Sequence, residues 1–178
     1  MQATNLSYAF GSHAVQDDSS LQAWEQLAQR AQTFLALGKV ESALATQIKA
    51  LQVASRFLAG PLLHSQPDHC MAAWVVSHHN IADILMQRQQ LPLALDYLCD
   101  AHVGLTRLEN THASNPLVQQ AALRHQRETH GALLQWQSQH GSAACIDAAL
   151  RAPKLTPSGT QPPDSFIPGI RFPSSHLH

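Results

Sequence analysis

Two stretches of the chain carry the same spacing of small and large residues. In the first, Ala31, Phe34, Gly38, Ala43 and Ala50 are separated by 3, 4, 5 and 7 positions. In the second, Ala82, Leu85, Gln89, Ala94 and Ala101 are separated by the same intervals. Small residues at such intervals let two helices approach closely, because a missing side chain brings backbone toward backbone. The larger residue three positions after the first Ala fills the space between them. A turn of three or four residues then joins two antiparallel helices. A fold built on this unit is helical, and its helices come in hairpins.

Apolar periodicity extends this pattern over most of the chain. Leu21, Trp24, Leu27, Ala28, Ala31, Phe34 and Leu35 recur at mostly three- and four-residue steps, which is one face of a helix. Ser19 with Gln22 makes a capping box, and Asp17 and Asp18 favour a helix start there. Val40, Ala43, Leu44, Ile48, Leu51, Ala54 and Leu58 form a second face, stopped by Gly60-Pro61. Pro67 and Asp68 open a third helix that runs to about Gln89. Pro92 suits the first turn of a fourth, Asn115-Pro116 begins a fifth, and Gly141-Ser142 separates a short sixth. The expectation is three hairpins over 19–152, with 1–18 flexible.

Composition agrees. The 26 Ala and 24 Leu outweigh the β-branched residues, which favours helix over sheet. At 178 residues the chain can bury a core without disulfides or metal. A net charge of −1 argues against a general electrostatic grip on nucleic acid or anionic lipid. No segment approaches the ~20 apolar residues of a membrane span. Cys70, Cys99 and Cys145 are odd in number and widely spaced, unlike a secreted disulfide framework. The N-terminal residues do not resemble a signal peptide. A cytoplasmic protein is expected. Residues 153–178 hold six of the ten prolines among Ser, Thr and Gly, so a flexible tail is expected there.

The hairpin spacing resembles the tetratricopeptide repeat (TPR), whose helix-turn-helix units stack into a solenoid. Ala31-x2-Phe34-x3-Gly38-x4-Ala43-x6-Ala50 matches that motif. His79-Asn80-Ile81-Ala82-x2-Leu85 is similar to the form found in kinesin-light-chain-type repeats. Gln89 replaces the turn Gly, and the units are offset by 51 residues rather than the usual 34. The excess falls in 52–66. Ser77-His78-His79-Asn80-Ile81-Ala82 also resembles a family of small uncharacterised bacterial TPR-like proteins. The resemblance implies a short stack whose concave face comes from the first helix of each hairpin. That face would carry Glu25, Gln32 and Leu35 from one unit, and Val76, His79, Asp83, Met86 and Gln87 from the next. It has no Lys or Arg, so it suits a peptide or helix held by apolar and amide contacts.

Histidine carries the remaining chemistry. In a TPR-like hairpin His78 comes near His102, with Cys99 one turn before it and His79 beside it. Imidazole and thiolate together could hold zinc. No HExxH or Cx2C spacing accompanies them. The other reading makes them core or rim residues bonded to each other or to backbone. His125 and Glu128, one turn apart, suit a solvated helix face, and His130 turns away from them. There is no Gly-rich phosphate loop, no GxSxG and no paired-carboxylate setting. The expected function is a non-enzymatic interaction module, an adaptor or partner-specific chaperone, with a metal-binding protein as the alternative.

Overall fold

The computed structural model describes residues 11–151, with side chains from residue 21 onward. The order is α1 (Gly11–Ala36), α2 (Val40–Ala59), α3 (Leu62–Ser65), α4 (Pro67–Gln87), α5 (Leu91–Thr111), α6 (Pro116–His140) and α7 (Ala144–Arg151). No strand occurs among the described residues, and the protein is all-α. The tail expected at 153–178 lies outside the described residues.

Helices α1 and α2, α4 and α5, and α6 and α7 are consecutive and joined by residues 37–39, 88–90 and 141–143. Such short connections between packed helices make each pair antiparallel. Successive pairs meet through α2 on α4 and α5 on α6, and α4 also packs on α6. Helix α7 rests mainly on α5.

Local chemistry accounts for most helix ends. Asn115 accepts from the Leu117 and Val118 amides at 3.1 and 3.3 Å, capping α6. Pro67, Pro92 and Pro116 all sit in first turns, where the missing N–H leaves no bond unmade. The first helix departs from expectation. It runs back through Ser19 to Gly11 instead of beginning at Ser19. Neither Gly nor Pro interrupts 12–37, so nothing obliges the helix to start at the potential cap. The connector after α2 also folds, as the one-turn α3, and drives Leu62 and Leu63 into the core.

The two matched stretches bury the same positions and share their turn geometry. Ala43, Ala50, Ala82, Ala94 and Ala101 are all 0% exposed and Ala31 is 1% exposed, so every small residue lies at a packed contact. We expect Ala94→Leu to overpack the α4–α5 hairpin and cost about 2 kcal/mol. Denaturant unfolding measures it, and Ala43→Leu should behave alike in the α1–α2 hairpin.

The turns match bond for bond. Gly38 N donates to Leu35 O at 2.9 Å and Lys39 N to Phe34 O at 2.8 Å. At the corresponding positions Gln89 N donates to Met86 O and Gln90 N to Leu85 O, both at 2.9 Å. Gly38 has φ 69° and Gln89 has φ 59°. The geometry therefore demands the left-handed region at a site occupied by a residue with a Cβ, which costs about 1 kcal/mol. Gln89→Gly removes that cost, less the entropy Gly adds to the unfolded chain. A small rise in melting temperature is the expected result.

Two core clusters run through the stack. One joins Leu51, Ile81, Leu85, Leu95, Leu98, Cys99, Leu133, Trp136 and Ile146. The other joins Phe57, Leu62, Leu63, Cys70, Met71, Val75, Leu105 and Val118. Trp74 packs against both.

Candidate partner-binding cleft

Helices α4 and α6 flank an open cleft of about 180 Å³, floored in part by α5. His79, Asp83 and Met86 line it from α4, Leu98 from α5, and Ala132, Gln135, Trp136 and Gln139 from α6. On α4 the residues fall at three- and four-position steps, which keeps them on one face. The α6 residues repeat the pattern, pairing Ala132 with Trp136 and Gln135 with Gln139. The lining mixes apolar and amide groups and contains no Lys or Arg.

His79 and Asp83 are the ionisable residues of the cleft. His79 has a buried Nε2 with no hydrogen-bond partner. Burial lowers its pKa, and nearby Asp83 and Glu128 oppose that shift. Burial raises the Asp83 carboxyl, while His79 pulls it back. A buried imidazole nitrogen without a bond is costly and ready to accept or donate one.

The sequence-predicted concave set divides. His79, Asp83 and Met86 line the cleft; Glu25, Gln32, Leu35, Val76 and Gln87 stand outside it. Glu25, Gln32, Val76 and Gln87 are exposed, and Leu35 is half-buried. The reason is packing. Helix α1 spends its apolar face on α2 and touches α4 sparsely, so the face of α4 opens toward α6. One link between α1 and α4 is the Trp24 indole N–H, which donates to Ser77 Oγ at 2.9 Å. Sequence reasoning missed the α6 wall because the third hairpin matches the repeat motif poorly. The signal available was the Gln135/Gln139 and Ala132/Trp136 spacing.

The proposed zinc ligands do not converge. His78 Nδ1–H donates to Trp74 O at 2.9 Å, and its ring packs on Trp74 and Tyr97 at centroid distances of 4.2 and 5.9 Å. His102 instead pairs its Nδ1 with Thr129 Oγ1 at 2.9 Å and lies 5.9 Å from the His130 ring. Cys99 sits against Cys145. No group of three His, Cys, Asp or Glu side chains is placed to hold a metal ion among the described residues. His78, His79, Cys99 and His102 therefore form no zinc site. Adjacent helical positions diverge by about 100°, and α5 turns His102 toward α6 instead of α4.

His125 departs further from expectation. It is 6% exposed, not solvated. Its Nδ1 lies 3.1 Å from Glu128 Oε2 and its Nε2 3.2 Å from Asp68 Oδ1. Asp68 also accepts from Arg124 at 2.7 Å. These contacts tie the start of α4 to the middle of α6.

A second cavity, of about 350 Å³, lies among α5, α6 and α7. His102, Thr106, Leu123, Gln126, Arg127, His130, Ala149 and Leu150 line it.

A family model described as a protein of unknown function, DUF2753, matches residues 22–156. The chain belongs to this family. The DUF2753 match takes in the second half of α1 and all of α2 to α7, and so both cavities. No curated protein and no solved structure matches the chain. Among the described residues no helix is long and apolar enough to cross a membrane.

Proposed function

We propose that this chain is a non-enzymatic interaction module, an adaptor or partner-specific chaperone, that seats a peptide or helix in the α4–α6 cleft. One observation carries the reading. The cleft runs between the first helices of two successive hairpins, lined by apolar and amide groups and by Asp83 around one unsatisfied imidazole. Its volume is below the ~300 Å³ at which small-molecule sites begin, and it has room for one or two anchoring side chains. A helix laid along it would place such anchors one turn apart. The matching turns and buried Ala positions of the first two hairpins support a TPR-like stack, which is part of the same proposal. So are a cytoplasmic setting and a protein or peptide partner rather than nucleic acid, in keeping with the near-neutral charge.

The test compares capture of partners by wild type and by a His79→Ala, Met86→Ala double variant, with circular dichroism confirming that both are folded. Truncating anchors at the centre of an interface should weaken binding by about tenfold or more. Binding should depend weakly on salt, since Asp83 is the one Asp, Glu, Lys or Arg that lines the cleft. Retention of every specific partner by the folded variant removes the cleft from the proposal.

A further inference from the structure

Three cysteines with no motif between them carry little meaning in the sequence. The fold brings two of them together. Cys99 lies in the middle of α5, the helix on which α7 mainly rests, and is 8% exposed. Cys145 is the second residue of α7 and is half-buried. It packs against the same core cluster that contains Cys99. The two residues are neighbours across the packed α5–α7 contact, and each thiol feels the other. Cys70 is 0% exposed and belongs to the other cluster.

We propose that Cys99 and Cys145 are a redox modification site, a dithiol that closes to an intramolecular disulfide between α5 and α7. The oxidant is a low-molecular-weight disulfide such as glutathione disulfide. Cys145, with access to solvent, reacts first. Its thiolate attacks one sulfur of the oxidant, forms a mixed disulfide and expels one glutathione thiolate. Cys99 then gives its proton to water, attacks the Cys145 sulfur and expels the second glutathione thiolate. Two cysteine thiols lose two electrons and two protons, and one disulfide is reduced to two thiols.

The surroundings set the character of the site. Burial pushes the Cys99 thiol up to about 12, with Cys145 and the carboxylates of Asp100 and Asp96 acting in the same direction. Closure is therefore slow, because little Cys99 thiolate is present at neutral pH. Closure has a structural consequence. His102 follows Cys99 by one turn, and Ala149 follows Cys145 by one turn. Both line the 350 Å³ cavity among α5, α6 and α7. The cross-link thus fixes one wall of that cavity against another.

The experiment uses the full chain, reduced and then equilibrated in glutathione buffers of increasing oxidising strength. Remaining thiols are alkylated after denaturation and counted by mass spectrometry, and the peptides are mapped. The expected result is loss of both Cys99 and Cys145 in one step, a Cys99–Cys145 cross-linked peptide, and an alkylated Cys70. The oxidised form should melt higher than the reduced form, a difference that dithiothreitol abolishes and that Cys145→Ser does not show. Alkylation of both Cys99 and Cys145 across the whole range overturns the proposal. So does a mixed disulfide at Cys145 that never closes, a cross-link to Cys70, or an oxidised form that melts lower.

Discussion

Gly104→Ala is expected to destabilise the protein by about 3 kcal/mol, at the upper end of what overpacking by one methyl group costs. A Cβ at Gly104 would stand 2.1 Å from Trp74 Cη2 and 3.0 Å from Cζ2 and Cζ3. No pair of carbon atoms tolerates the first distance, so the indole must move. It cannot swing freely. Its ring meets the His78 ring edge-to-face at a centroid distance of 4.2 Å, and it packs against both core clusters. Displacing Trp74 therefore disturbs the α4–α5 contact and the boundary between the clusters together. Gly104 lies inside α5, where Ala would otherwise be favoured by about 1 kcal/mol. A helix-propensity argument alone thus predicts the opposite sign. Denaturant unfolding of Gly104→Ala decides between them. A companion Gly131→Ala variant supplies the control, because a Cβ at that helical Gly meets nothing within 4 Å and should stabilise.

The second large effect is a loss of stability on acidification that His78 controls. Burial against Trp74 and Tyr97 lowers its pKa from 6.5 to about 4, despite the hydrogen bond to Trp74 O. Between these two values the unfolded chain binds a proton at this site that the folded chain does not. Stability is therefore highest above pH 6.5, falls as pH drops toward 4, and levels off where the folded form also protonates. The full difference is about 3 kcal/mol. His79, His102 and His112 are also lowered by burial and act in the same direction. The raised carboxyls of Asp83 and Asp100 act in the opposite direction. Comparison with His78→Phe isolates the one site. Phe preserves the aromatic contacts and removes the titration, so the variant's melting temperature should change less with pH from 7 to 4.5 than that of wild type. Parallel profiles would show that His78 does not set the slope.

Both effects arise at residues whose importance the chain order conceals. Gly104 sits in an unremarked helical stretch, and nothing in its neighbours announces an indole from α4. His78 was legible as an unusual residue, but its place among core aromatics was not.

The helical class, the helix boundaries near Gly60, Pro92 and Gly141, and the equivalence of Ala31–Ala50 with Ala82–Ala101 all follow from local rules. Apolar periodicity, proline position and small-residue spacing act within one or two helices, so the chain itself determines them. The Gln89 turn shows how strong these rules are, since the same hydrogen bonds form there without the glycine. The site is a different case. Which face of α4 opens, and toward which helix, depends on the sparse contact of α1 with α4 and the firm contact of α6. Half of the cleft comes from α6, far along the chain, and Cys99 meets Cys145 across the whole of that helix. Helix pairing beyond one hairpin is set by the summed burial of many side chains, which no single spacing encodes. The tertiary structure alone decided that His78 and His102 part company, that His125 is buried between two carboxylates, and that two of three cysteines touch.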